Sequence, residues 1–366
     1  MKGKERHIFP GNNTPIGFLS YYQYILDQQE ADRILCLKGG PGVGKSTFMK
    51  LTGVEMLEKG YDVDFLHCSS DVNSLDGIII KDLKIALIDG TAPHVVDPKN
   101  PGAVDMIINL GDFWNEEDIR VNKEDILKCN RWVQFNFEKA YNYFGAARKI
   151  YDNMNSIYEN ALDEVEIYKE AARLVNIEFS HKELSKKTGK VKKFFASALT
   201  PQGNVNYIDS LIDGFEKIYV IKGPVGINGN KIMSIIKESS KYRGFDIECF
   251  YCSMVPDNKI EHIVIPELKL AFVSSNYYHK LKVDAQEIIN LNDYIHWNGM
   301  CKYKEMIKDS ERLMEELLDK GVECIQRAKI IHDDLETNYI PNMNFEAVEN
   351  YRKEIVNKYL LKSELN

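Results

Sequence analysis

Placing Gly39 on Gly223 sets an offset of 184 residues, at which Gly60 falls on Gly244 and Cys68-Ser69 on Cys252-Ser253. One inserted residue later, LKIALID (83–89) meets LKLAFVS (268–274) and His94 meets His279. IINLGD (107–112) then meets IINLND (288–293) at an offset of 181. Upstream, Thr14-Pro15-Ile16-Gly17 matches Thr200-Pro201-Gln202-Gly203, and Tyr21 matches Tyr207. Matches in one order with small shifts identify a tandem duplication, so whatever α/β unit the first half builds the second must build again. The boundary falls in SHKELSKKTGKVKK (180–193), which gives expected units of 1–185 and 186–366. Its lysines read as a solvated linker, the alternative being contact with an acidic partner.

Each copy ends in a charged region with apolar residues at helical spacing. In the first, Trp132, Phe135, Phe137, Tyr141 and Phe144 form an aromatic stripe, read as a packing face rather than a ligand box. The repeat persists here, with Ala147, Ile150, Asp152 and Tyr158 matching Ala328, Ile331, Asp333 and Tyr339. Two or more long helices appended to each α/β core are therefore expected.

ILCLKGGPGVGKSTFMK (34–50) contains Gly39, Gly44, Lys45 and Ser46 in the pattern GxxxxGK[ST], a complete Walker A motif. The spacing has a chemical reason. Glycines let the backbone curl so that N–H groups point at phosphates, the lysine reaches the β and γ phosphates, and the serine hydroxyl ligates Mg²⁺. ILCL reads as a buried strand before the loop, and the segment after it as a helix closed by Gly60. IALI followed by Asp89 has the Walker B form, a buried strand delivering a carboxylate at its C-terminal end, where ligands of open α/β sheets bind. Asp89 would hold Mg²⁺ with Ser46; the bland alternative is a strand-end aspartate that caps a turn.

The next residue is Gly90, so no glutamate stands beside Asp89 to polarise a hydrolytic water. Asp71 and Asp76, in the loop HCSSDVNSLDG, are the nearest candidates for a catalytic carboxylate, with Asp71 preferred. Ser69 and Ser70 could bind metal-associated water or a second substrate; the same loop also reads as an ordinary polar turn. His94 could sense a γ-phosphate, but its match His279 survives where the Walker residues do not, which favours a structural role. Arg120, Arg131 and Arg148 are candidate donors to a transition state. Cys249 and Cys252 form a CxxC without a second pair, and read as packed thiols.

In the second copy Gly44, Lys45 and Ser46 become Asn228, Gly229 and Asn230, and Asp89 becomes Ser274. Lys231 takes the Thr47 column. The glycines and strand remain while the groups that bind Mg-ATP are gone, so one intact and one degenerate site are expected.

The formal charge of −8 argues against a general nucleic-acid or anionic-membrane binder. Seven cysteines without framework spacing suggest reduced thiols. No segment offers the roughly 18 apolar residues of a membrane span, so a cytoplasmic protein without membrane association is expected.

GGPGVGKS with ALID resembles the P-loop NTPases. Over its full length the chain, including DGTAPHVVDPKNPGAVD, also looks like a bacterial family of tandem-duplicated ATPase-like proteins. The resemblance implies two tandem P-loop NTPase-like parallel-sheet units, each with an appended helical region. It implies ATP and Mg²⁺ held by Gly39, Gly40, Gly42, Val43, Gly44, Lys45, Ser46, Thr47 and Asp89. Nothing resembles a guanine-reading element: Lys99-Asn100 has the order reversed, so ATP is preferred to GTP. Three functions stay open: a Mg-dependent ATPase, a nucleotide or small-molecule kinase, and a nucleotide-binding switch or scaffold that presents its helices to a protein partner.

Overall fold

The computed structural model describes residues 1–92, 95–256, 258–281 and 283–361. The first copy opens with the edge strand β1 (Glu5–Ile8) and a small hairpin of β2 (Gly11–Thr14) and β3 (Gly17–Ser20). β4 (Arg33–Lys38) leads through the glycine-rich loop into α1 (Lys45–Glu58). β5 (Val63–His67), β6 (Leu75–Ile80), β7 (Ile85–Asp89) and β8 (Asp105–Asn109) complete a six-stranded sheet in the order β1-β5-β6-β7-β4-β8. The helices α2 (Glu116–Val121), α3 (Lys123–Glu159) and α4 (Glu164–Phe179) follow.

The second copy opens with β9 (Val191–Phe194), β10 (Ser197–Thr200), β11 (Gly203–Asn206) and the short α5 (Ile208–Ile212). β12 (Lys217–Lys222), α6 (Asn230–Tyr242), β13 (Ile247–Tyr251), β14 (Ile260–Ile265), β15 (Leu270–Ser275) and β16 (Glu287–Asn290) come next. α7 (Trp297–Met300), α8 (Lys304–Glu336) and α9 (Phe345–Ile355) follow, the last continued by a π-helical turn over Val356–Leu360. Its sheet order, β9-β13-β14-β15-β12-β16, repeats the first strand for strand.

Each sheet is mostly parallel, but β6 and β14 run against their neighbours. The cause is local. Only residues 81–84 join β6 to β7, with Lys84 at φ 52°, and Lys269 at φ 44° turns the second copy. So short a link can join only antiparallel strands, because a parallel pair needs a crossover. Asp76, expected in a polar loop, therefore lies inside the buried strand β6.

Alternation along the strands sets the layers. Leu35 and Leu37 of β4 face a core shared with α1 and α9, while Ile34 and Cys36 face a core shared with the second sheet through Val220, Ala271 and Val273. The two sheets thus stand between helical layers. The outer face of the second sheet is covered by α6 together with α4.

The helices are exchanged between copies. α4 of the first copy packs on α6 of the second, and α9 of the second packs on α1 of the first, where Arg352 pairs with Glu55 at 2.9 Å. α3 and α8 pair along their length, with Gly321 so close to Phe144 that a Cβ would lie 2.2 Å from the ring. Phe9 and Phe195 exchange both backbone hydrogen bonds at 3.0 Å. Because each is the other's repeat mate, this is the pattern of an isologous two-fold contact within one chain.

Candidate functional site

Val43 folds back over Gly39, where a Cβ would lie 2.7 Å from its Cγ2 atom, and is almost wholly buried. Gly42 and Gly44 take φ of 69° and 91°, a region that L side chains rarely enter, so these positions require glycine. Among the described residues, the backbone N–H groups of Gly40 and residues 42–46 donate to no protein acceptor. α1 starts at Lys45, so its free first amides and the positive end of its dipole face the same space. Free amides at a helix N-terminus are a geometry that favours an anion.

Lys45, Ser46 and Asp89 meet there. The Lys45 ammonium donates to the Gly39 and Gly40 carbonyls at 3.1 and 2.8 Å and stands 3.7 Å from Asp89 Oδ2. β7 pairs with β4 so that Asp89 lies opposite Leu37, one strand from the root of the loop. Asp89 Oδ1 accepts the N–H and hydroxyl of Thr91 at 2.9 and 2.6 Å, which turns the other oxygen towards Lys45. Ser46 Oγ accepts the Leu75 N–H at 2.9 Å, and its other lone pair stays available. Thr47, on the first turn of α1, is exposed.

The other candidates divide. Asp71 accepts the Asn73 N–H at 3.1 Å and the Ser74 hydroxyl at 3.0 Å, and it faces the Lys329 ammonium at 3.4 Å. Asp76 is buried near Tyr22 and Cys68; burial first and this carboxylate second push both groups' pKa up. Ser69 is buried and hydrogen-bonded to Asn13. His94 lies outside the described residues. Arg148 pairs with Asp152 and donates to the Met254 carbonyl of the second copy, and Arg120 and Arg131 are exposed. Cys249 and Cys252 are buried thiols, each pushed up to about 12 by burial. Of the aromatic stripe, Phe144 is fully buried while Trp132 and Phe135 are exposed.

The loop has neighbours from the far end of the chain. A Cβ on Gly40 would lie 2.8 Å from the Tyr339 ring, and one on Gly42 would lie 3.0 Å from Ile340 and 3.2 Å from Glu336. The C-terminal end of α8 therefore stands over the loop with Glu336, and Lys329, His332 and Asp333 lie within the two turns before it. His332, Asp333 and Glu336 offer ligand atoms within 4.8 Å of one another, although Lys329 already pairs with Asp333. Nearly 300 residues of sequence separate these groups from the motif. Their only trace was the register placing Asp333 and Tyr339 on Asp152 and Tyr158. On the β8 side of the loop an open groove of about 630 Å³ is lined by Asp112, Phe113, Trp114, Asn115 and Asn342.

The second copy keeps the loop's packing and carries Gly229, Asn230 and Ser274 in place of Lys45, Ser46 and Asp89. Ile227 covers Gly223 as Val43 covers Gly39, at 2.6 Å, and Gly226 has φ 94°. Asn230 Oδ1 accepts the Ile260 N–H at 2.9 Å, the bond that Ser46 accepts from Leu75. Met154 and Tyr158 of α3 stand over Gly226 as Tyr339 and Ile340 stand over the first loop.

No family model matches the chain, and no curated protein or solved structure gives a significant match.

Proposed function

We propose that this protein binds Mg-ATP at the Gly39–Ser46 loop in the manner of a P-loop NTPase and turns it over slowly. The observation that carries the reading is the convergence of Lys45, Ser46 and Asp89 on a loop whose N–H groups have no protein acceptor. Lys45 exchanges the Gly39 and Gly40 carbonyls for the β and γ phosphates. Ser46 and Asp89 are the residues to hold Mg²⁺, which when bound neutralises charge on the phosphoryl group. With Asp89 at the γ end, the groove beyond β8 lies on the opposite side of β4 and takes the base, beside Trp114.

Positive charge for the γ-phosphate comes from Lys329 of the exchanged helix α8, which lets go of Asp71 to reach it. Slow turnover follows from Gly90 beside Asp89 and from the Asn73 N–H and Ser74 hydroxyl that already engage Asp71. The same two features support a second reading, transfer to a bound metabolite. Phosphate release without any added substrate supports hydrolysis; consumption of ATP only when a metabolite is supplied supports transfer. ATP binding with no turnover under either condition leaves the switch or scaffold.

A further inference from the structure

We propose that the second copy, stripped of its nucleotide groups, holds a separate binding site for a small neutral ligand carrying an N–H donor beside a carbonyl acceptor, such as a cyclic amide or a pyrimidine base. The site is a cavity of about 60 Å³ where the second sheet meets α3 and α8. That is room for several water-sized groups. Lys259, Glu261 and His279 line it, together with Tyr151 from α3 and Leu318 from α8.

Decay alone does not account for this lining. Glu261 stands on Asp76 and Lys259 on Ser74, so the copy holds a buried ion pair, 2.9 Å long, where the first copy has an aspartate and a serine. Two buried charges cost several kcal/mol each to desolvate, and an apolar pair of similar volume would serve the fold as well or better. Glu261 is 2 % exposed and His279 7 %. Among the described residues, His279 Nδ1 has no hydrogen-bond partner and Glu261 Oε2 has none from a nitrogen or oxygen, the weak donor Cys252 Sγ being the one group beside that carboxylate apart from Lys259.

The chemistry of the lining selects the ligand. Lys259 spends two of its three protons on Glu261 Oε1 and the Tyr151 hydroxyl, at 2.9 and 3.1 Å, and keeps one for an acceptor. Glu261 Oε2 needs a donor. A cation would face the Lys259 ammonium and an anion the Glu261 carboxylate. Because the ion pair is neutral as a whole, an additional charge would be buried without compensation. An adjacent N–H and C=O answers both groups at once, and the rings of Tyr151 and Tyr278 suit a planar heterocycle.

The test is calorimetry and thermal shift on the full-length protein with uracil, thymine, nicotinamide and 2-pyrrolidinone as probes. At least one is expected to bind saturably, at one per chain, in wild type and equally in Lys45→Ala, which separates this site from the nucleotide loop. Glu261→Gln is expected to weaken that binding by about tenfold or more, the size of one charge-assisted hydrogen bond. Because that variant leaves Lys259 without its partner, Leu318→Trp is the second test. It fills the cavity from α8, keeps the ion pair, and is expected to abolish binding in a chain whose circular dichroism is unchanged. Failure of all four probes at millimolar concentration, as a cavity holding only water would give, overturns the proposal. So does binding that survives both Glu261→Gln and Leu318→Trp.

Discussion

At the scale of single residues, the glycine-rich loop was legible and the groups facing it were not. GxxxxGK[ST] fixes Lys45 and Ser46 through local backbone geometry, and the structure brings Asp89 to them because β7 pairs with β4. Lys329 gave no such signal, since a lysine on a charged helix looks like any other until tertiary packing places it opposite Asp71. On the proposed reading, Lys329→Ala lowers turnover by about tenfold or more, the loss of one charge at a developing negative group, while ATP affinity falls less. A steady-state kcat measured beside a binding isotherm checks this split. Histidine burial gives a second expectation. Burial holds His67 down at about 4 and His262 at about 3, against an ordinary value of 6.5. Between those values the unfolded chain binds protons that the native one refuses. Stability is therefore full above pH 6.5 and falls as the pH drops towards 4. Melting curves across that range read the effect, and a flat melting temperature from pH 7 to 4 would contradict it.

At the scale of elements, strand order and partners were harder to read than strand existence. The apolar runs ILCL and IALI are strands as their patterns suggested. LDGIII carries no legible strand signal, because a polar loop runs directly into it and burial on both faces erases the period-two alternation. The helical regions were legible as helices, whereas their exchange between copies was not: an amphipathic face shows that a partner exists without showing which. Arg352 on α9, buried against Glu55 and Glu349, marks the exchange. Deleting residues 341–366 is expected to uncover Leu57 and Met56 of the first core and cause aggregation or a lowered melting temperature. On the proposed reading Trp114, beside the groove and the Tyr339 ring, supplies a readout of the base. ATP should change its fluorescence in a Trp132→Phe, Trp297→Phe background, and an unchanged spectrum at saturating ATP would move the base elsewhere.

At the scale of the whole molecule, the duplication behaves as a dimer written in one chain. Its copies meet at Phe9 and Phe195, and the Arg6 guanidinium reaches both Asp64 of its own copy and Glu248 of the other at 2.8 Å. Arg6→Ala removes the partner of the half-buried Glu248 and leaves Asp64 with Lys81 alone, and is expected to cost about 3 kcal/mol, measured by denaturant unfolding. The second copy is tied to the first under this arrangement, because its sheet shares a core with the first sheet and the end of its helix α8 stands over the first copy's loop. On the proposed reading each chain holds one Mg-ATP site, built on the first loop and lost from the second. Isothermal titration of ATP with Mg²⁺ into wild type and Lys45→Ala decides this. The expected result is a stoichiometry near one in wild type and no measurable binding in a folded Lys45→Ala chain; a stoichiometry near two, or unchanged affinity in the variant, would rule the reading out.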